Sequence, residues 1–123
     1  MDLARLATSM KKLVDDYEKL IDKAIALKGA DRGRYEVFIS EATTLLQASK
    51  SILPEAKAVA GSYSSSDVLV KHISTYYRMI KYVSIRYLID LMKETLQDSN
   101  LEQGVSARMH VLLAGFENLK DTL

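Results

Sequence analysis

The stretch VLVKHISTYYRMIKYVSIRYLIDLMKETLQ, residues 68–97, carries the pattern that decides the fold. Read as one helix, it bears two apolar seams. Leu69, Ile73, Tyr76, Ile80, Val83, Tyr87 and Leu91 recur at steps of three and four, and Tyr82, Ile85, Ile89, Met92 and Leu96 do the same on the other side. A helix with one apolar stripe needs one neighbour, whereas two stripes call for neighbours on both sides. The first seam runs nearly the whole length and the second begins only near Tyr82. The first half therefore keeps a polar outer face, and the second half is expected to be apolar all round, as the centre of a bundle or part of a subunit contact.

Helical spacing continues outward in both directions. Leu3, Leu6, Met10, Leu13, Tyr17, Leu20, Ala24 and Leu27 form a heptad seam, widened by Val14, Ile21 and Ile25, which predicts a first helix from about Leu3 to Lys28. Asp2 is its expected N-cap and Gly29 its stop. Lys11, Lys12, Asp15, Asp16, Lys19, Asp22 and Lys23 read as a solvated face with pairing between neighbouring turns. After the link Gly29 to Gly33, a second helix is expected from about Arg34 on Tyr35, Phe38, Ala42, Leu45, Ser49 and Ile52, with Leu46 and Leu53 alongside. Pro54 predicts a kink or break in it, with helix on both sides.

Gly61 to Asp67 is loop-like and serine-rich, the expected mobile loop, and Ser66 or Asp67 can cap the long helix that follows. Ser99-Asn100-Leu101-Glu102 has the spacing of a capping box. It predicts a last helix from about Asn100 to Lys120 on Leu101, Val105, Met109, Leu112, Phe116 and Leu119, with Gly115 permitting close approach of a neighbour. No segment alternates apolar and polar residues as a half-buried strand would. The expected fold is all-α: an antiparallel up-and-down bundle of four main helices, with residues 1–123 as one domain.

Composition narrows the function classes. A chain of 123 residues is long enough to bury one sizeable core, and a formal net charge of +1 gives no whole-protein field for nucleic acid or membrane. Without cysteine there is no disulfide framework, thiolate metal site or thiol nucleophile, which suits a reducing compartment. No apolar run approaches the ~20 residues a membrane span needs, and the start Met1-Asp2-Leu3-Ala4-Arg5 is not that of a secretory signal. A soluble, cytoplasmic protein is expected.

Side-chain chemistry is sparse. His72 and His110 lie on different helices, and neither has a second histidine or an acid three or four residues away, so no metal or cofactor is expected. Asp15, Asp16, Glu18 and Asp22 are interleaved with lysines and point away from the seam. Gly29 to Gly33 precedes a helix start and carries Arg32 and Arg34, a combination that can hold an anion but serves as readily as a turn. No catalytic residue and no small-molecule substrate are expected; the chain reads as non-enzymatic.

Between Val68 and Ile89 there is no acidic residue, yet Lys71, Arg78, Lys81 and Arg86 occur with Tyr76, Tyr77, Tyr82 and Tyr87. Phosphate neutralisation combined with base stacking is how proteins hold single-stranded nucleic acid, which makes Lys71, Arg78, Lys81, Tyr82 and Arg86 the candidate nucleic-acid contacts. The second seam, Tyr82, Ile85, Ile89, Met92 and Leu96, is the candidate protein interface, because a small monomer need not cover it.

Two slight resemblances attach to particular residues. Asp31-Arg32-Gly33-Arg34-Tyr35, followed by Ala42, Leu45 and Leu46, resembles the first two helices of microtubule-interacting and trafficking domains. The run Tyr82-Val83-Ser84-Ile85-Arg86 before a final helix with Gly115-Phe116-Glu117 is similar in outline to the small helical subunits of CRISPR effector complexes. Each covers half the chain or less, the alanine and tyrosine spacing of the first family is not kept, and no functional residue is carried over from either. The sequence reading is a helical interaction or assembly subunit, self-associating as a homo-oligomer through the second half of the long helix or joining a larger complex. The alternative is an accessory subunit of a nucleoprotein complex.

Overall fold

Helix α1, Leu3–Ile25, begins where the Asp2 carboxylate accepts the Arg5 N–H at 3.1 Å, the expected cap. It buries Leu6, Met10, Leu13, Tyr17, Leu20 and Ala24 and ends in a turn closed by Gly29, whose φ of +74° is a conformation that glycine adopts without steric cost. These assignments come from a computed structural model that describes residues 2–61, 66–98 and 100–123.

Helix α2, Arg32–Ala60, starts two residues earlier than the apolar spacing suggests, because Asp31 accepts the Arg34 N–H at 3.0 Å and fixes the first turn. It runs as one helix through Pro54, so the break does not occur. Proline deletes the bond that the Lys50 carbonyl would accept, and complete burial of Leu53 and Ala56 on either side holds the segment helical.

The third element is a rod in three parts: α3, Val68–Met79, a π-helical turn, Ile80–Ser84, and α4, Ile85–Leu96. Asp67 caps it, accepting the Leu69 N–H at 2.8 Å. The serine cluster expected to be mobile falls mainly on residues 62–65, outside the described residues. The π turn has a clear cause in the sequence. At 100° per residue, five residues carry an α-helix about 140° past its starting face, yet Ile80 and Ile85 are both 0% exposed. One extra residue must be absorbed within a turn, and the Ile85 N–H does so by bonding to the Ile80 carbonyl five residues back.

The rod therefore buries one continuous row rather than two seams, and the row takes in Val70, Tyr77 and Leu88, which belong to neither expected seam. Val70, Ile73, Tyr77 and Ile80 face the core before the π turn, and Ile85, Leu88, Ile89 and Met92 face it afterwards. The expectation that the second half is apolar all round is corrected accordingly: Val83 and Tyr87, assigned to the first seam, are turned outward.

Helix α5, Gln103–Thr122, begins three residues later than expected and has no side-chain cap at Glu102. Ser99 of the expected capping box lies outside the described residues. Asp98 instead accepts the Asn100 N–H at 3.0 Å, an Asx turn that leads into the helix. Gly115 does permit close approach: a Cβ there would sit 2.5 Å from Leu46 Cδ2.

Consecutive helices run antiparallel. Lys23 pairs with Glu41, and Tyr17 with Ser49, across α1 and α2. The Tyr77 hydroxyl donates to the Leu123 carbonyl at 2.6 Å across the rod and α5. The two resulting hairpins lie side by side, α2 against α5 in parallel, tied by Glu36 with Arg108 at one end and by Lys57 with the Thr122 carbonyl at the other. α1 packs on both halves of the rod. α1 and α5 stand at opposite corners, and the rings of Tyr17 and Phe116 meet edge to face, 6.3 Å apart, across the centre. Among the described residues this is an all-α bundle of four helices, counting the rod as one, around a single apolar cluster.

Candidate interaction surface

The residue absorbed by the π turn decides what the rod shows to solvent. Met79, Tyr82, Val83 and Tyr87 are 43%, 57%, 61% and 47% exposed, and they surround the turn. Met79, Val83 and Tyr87 stand four residues apart, so they form a stripe along the rod. Leu91, the next in the series, is half-buried and lines a cleft of about 620 Å³ with Ala24 and Ile25 of α1, Lys28 of the turn after it and Glu94 of α4. Ile25 is itself exposed, so the apolar surface continues from the rod onto α1.

A second stripe runs beside the first. Lys71, Arg78, Tyr82 and Arg86, spaced by seven, four and four residues, are all exposed. The Lys81 ammonium lies 5.1 Å over the Tyr82 ring, and the Arg86 Nε donates to the Lys81 carbonyl at 3.2 Å. Arg86 thus supplies a donor inside the widened turn, where helical pairing is disturbed. Among the described residues none of these four basic groups is paired with a carboxylate, and the next acid along the rod is Asp90.

The structure redistributes the residues singled out from sequence. Of the candidate nucleic-acid contacts, Lys71, Arg78, Tyr82 and Arg86 are exposed and Lys81 is half-buried, with its ammonium over the Tyr82 ring. Of the candidate interface, Ile85, Ile89 and Met92 are in the core and Leu96 is half-buried, which leaves only Tyr82 exposed. The rod's exposed apolar side chains beside Tyr82 are instead Met79, Val83 and Tyr87. The signal that could have revealed this was the five-residue step from Ile80 to Ile85, which no regular α-helix can bury at both ends.

Other candidate features are compensated within the fold. Arg32 faces Glu102 at 3.3 Å and Glu36 at 3.7 Å, and Arg108 forms a two-pronged contact with Glu36, so Arg32 beside Gly29 to Gly33 is matched by carboxylates. The Arg108 guanidinium holds the Glu36 carboxyl below the usual range. Lys12 pairs with Asp16 at 2.8 Å on the mixed-charge face of α1. His72 lies beside Tyr76, with ring centroids 6.3 Å apart, and His110 is exposed. Among the described residues no three histidine or acidic side chains come together to hold a metal, and no helix is long and apolar enough to cross a membrane. A shallow groove of about 410 Å³ between α2 and α5, lined by Ile39, Leu46, Lys50, Val111 and Leu112, is a further apolar feature; Arg108 at its edge is already matched by Glu36.

No family model, no curated protein and no solved structure matches this chain. The functional reading therefore rests on the surface itself.

Proposed function

We propose that this chain is a non-enzymatic helical-bundle subunit, its 123 residues acting as one domain, that docks a protein partner on the outer face of the rod around the π turn. The observation that carries this reading is the contiguous run of Met79, Tyr82, Val83 and Tyr87, large apolar side chains left uncovered beside a basic stripe. Small proteins leave scattered apolar residues exposed, but a clustered patch with a polar rim marks an interaction site. The proposed compartment is the cytoplasm, consistent with a chain that has no cysteine. Self-association through the second half of the rod loses its basis, because Ile85, Ile89 and Met92 are consumed in the chain's own core.

The test is a photo-crosslinking amino acid placed at Val83 in the native cell. A discrete protein adduct is expected, absent when the same group is placed at Lys12 on the opposite side of α1. The same adducts at both positions, or none at Val83, would refute the reading.

Nucleic-acid contact is the second reading, favoured by the acid-free basic stripe and by Lys81 held over the Tyr82 ring. It ranks behind because the basic groups form a single convex row with no groove to follow a phosphate backbone, and Arg86 is partly engaged with the Lys81 carbonyl. Its test is a mobility shift with a single-stranded oligonucleotide at low salt, weakened by changing Lys71 and Arg78 to glutamate. No shift at low salt removes it.

A further inference from the structure

We infer that the occupant of the rod's outer face is an amphipathic helix from a different protein, with carboxylates along one flank of its apolar stripe; this rests on the docking reading above. Met79, Val83, Tyr87 and Leu91 stand four residues apart, so at 1.5 Å per residue the stripe is about 18 Å long. Apolar side chains at positions i, i+4, i+7 and i+11 of an incoming helix span about 16 Å, a matching reach. The rod's backbone is engaged in helical bonds and presents no ladder edge, so an extended partner would find nothing with which to pair its own backbone. A helix arrives with its backbone already satisfied.

Charge selects the flank. Arg78, Lys81 and Arg86 lie beside the apolar stripe and Lys71 about 12 Å before its start, and among the described residues no carboxylate is paired with any of the four. Glu117 of α5 is held by Lys93 at 3.2 Å and is spoken for. At the far end of the stripe the cleft beside Ile25 carries Lys28 together with Glu94 and Asp98, a mixture with little preference. The preference for acid is therefore concentrated near the π turn, where unmatched positive charge attracts carboxylates and rejects cations.

A second copy of this chain does not fit. Two copies meeting face to face in antiparallel fashion would set Arg78 of each near Arg86 of the other. Each of the four helices of this chain already contributes to its own core, so none remains to dock as an acid-flanked stripe.

The test uses the full chain and two labelled synthetic helices of about twenty residues, with the same four-leucine stripe, one flanked by glutamate and the other by lysine. Fluorescence anisotropy should show the glutamate peptide binding about tenfold or more tighter than the lysine peptide, with the gap closing as salt rises. Arg78→Glu with Arg86→Glu, checked for folding by circular dichroism, should reverse the preference. Val83→Asp with Tyr87→Ser should weaken both peptides by about tenfold or more. Equal binding of the two peptides overturns the acidic partner and leaves the docking surface standing. No peptide binding, or binding that ignores the Val83 and Tyr87 changes, overturns both. A single-stranded oligonucleotide bound where neither peptide binds gives the face to nucleic acid and overturns the inference.

Discussion

Ser49 is the one polar residue fully buried among those described, and its bonds are asymmetric. Its Oγ donates to the Leu45 carbonyl at 2.7 Å, so the Tyr17 hydroxyl, 2.8 Å away, must donate to Ser49. Removing the tyrosine hydroxyl leaves Ser49 satisfied, whereas removing the serine leaves the hydroxyl of Tyr17 buried without a partner. Tyr17→Phe should therefore cost about 1 kcal/mol and Ser49→Ala about 2 kcal/mol, measured by urea unfolding. Equal costs would show that the tyrosine finds another acceptor.

The same burial pushes the Tyr17 hydroxyl's pKa up, and burial also raises those of Tyr35 and Tyr77, helped at Tyr35 by the charge of Asp98 and at Tyr77 by Tyr82. A raised folded pKa means that the folded state holds its proton more tightly. Its stabilisation is complete below the unfolded tyrosine value near pH 10 and is lost as pH rises through the folded one. Stability should fall above about pH 10, and less steeply in Tyr17→Phe, as followed by thermal melts across that range.

Among the elements, the rod shows best what periodicity can and cannot report. Ile73, Ile80, Ile85, Ile89 and Met92 were legible as inward-facing, whereas Val70, Tyr77 and Leu88, equally buried, fall in neither seam; α1 was legible from Asp2 to its last turn because cap, seam and glycine agree. How the two seams join was not, because reading at 3.6 residues per turn assumes constant rotation, and a π turn changes the rotation without changing residue types. The consequence is one of exposure: Ile85, Ile89 and Met92, which constant rotation turns outward, are buried, while Met79, Val83 and Tyr87 are exposed. The start of α5 was misplaced for a different reason, since Asp98 rather than Glu102 supplies the local side-chain bond there.

That account can be tested by deletion. Removing Lys81 sets Ile80 and Ile85 four residues apart, the spacing at which an ordinary α-helix buries both. The deletion should leave a cooperative unfolding transition within about 2 kcal/mol of the original, whereas deleting Asp15 from α1, which has no extra residue to give up, should abolish it. A second element-scale prediction concerns the tie between α2 and α5. Arg108, first by its hydrogen bonds and then by its charge, holds the Glu36 carboxyl low. That contribution is present above the unfolded glutamate value near pH 4.3 and is lost as pH falls through the folded one. Glu36→Gln should accordingly flatten the acid side of the melting-temperature profile.

At the scale of the whole molecule, the core is complete without a second copy, and the basic stripe disfavours one. Light scattering at high concentration should report a monomer of 13.8 kDa; a stable dimer would require a contact outside the rod's outer face.

The packing of hairpin on hairpin has a consequence for how the chain can be made and divided. α1 with α2 forms one half and the rod with α5 the other; the halves meet through the α1–rod, α2–α3 and α2–α5 packing, and one covalent connection runs between Gly61 and Ser66. The bond between halves is thus of the kind that joins separate proteins, built into a single polypeptide. Residues 1–61 and 66–123, expressed as two fragments, should find each other and reassemble with helical content and a melting transition that depends on their concentration, as a split-reporter design requires.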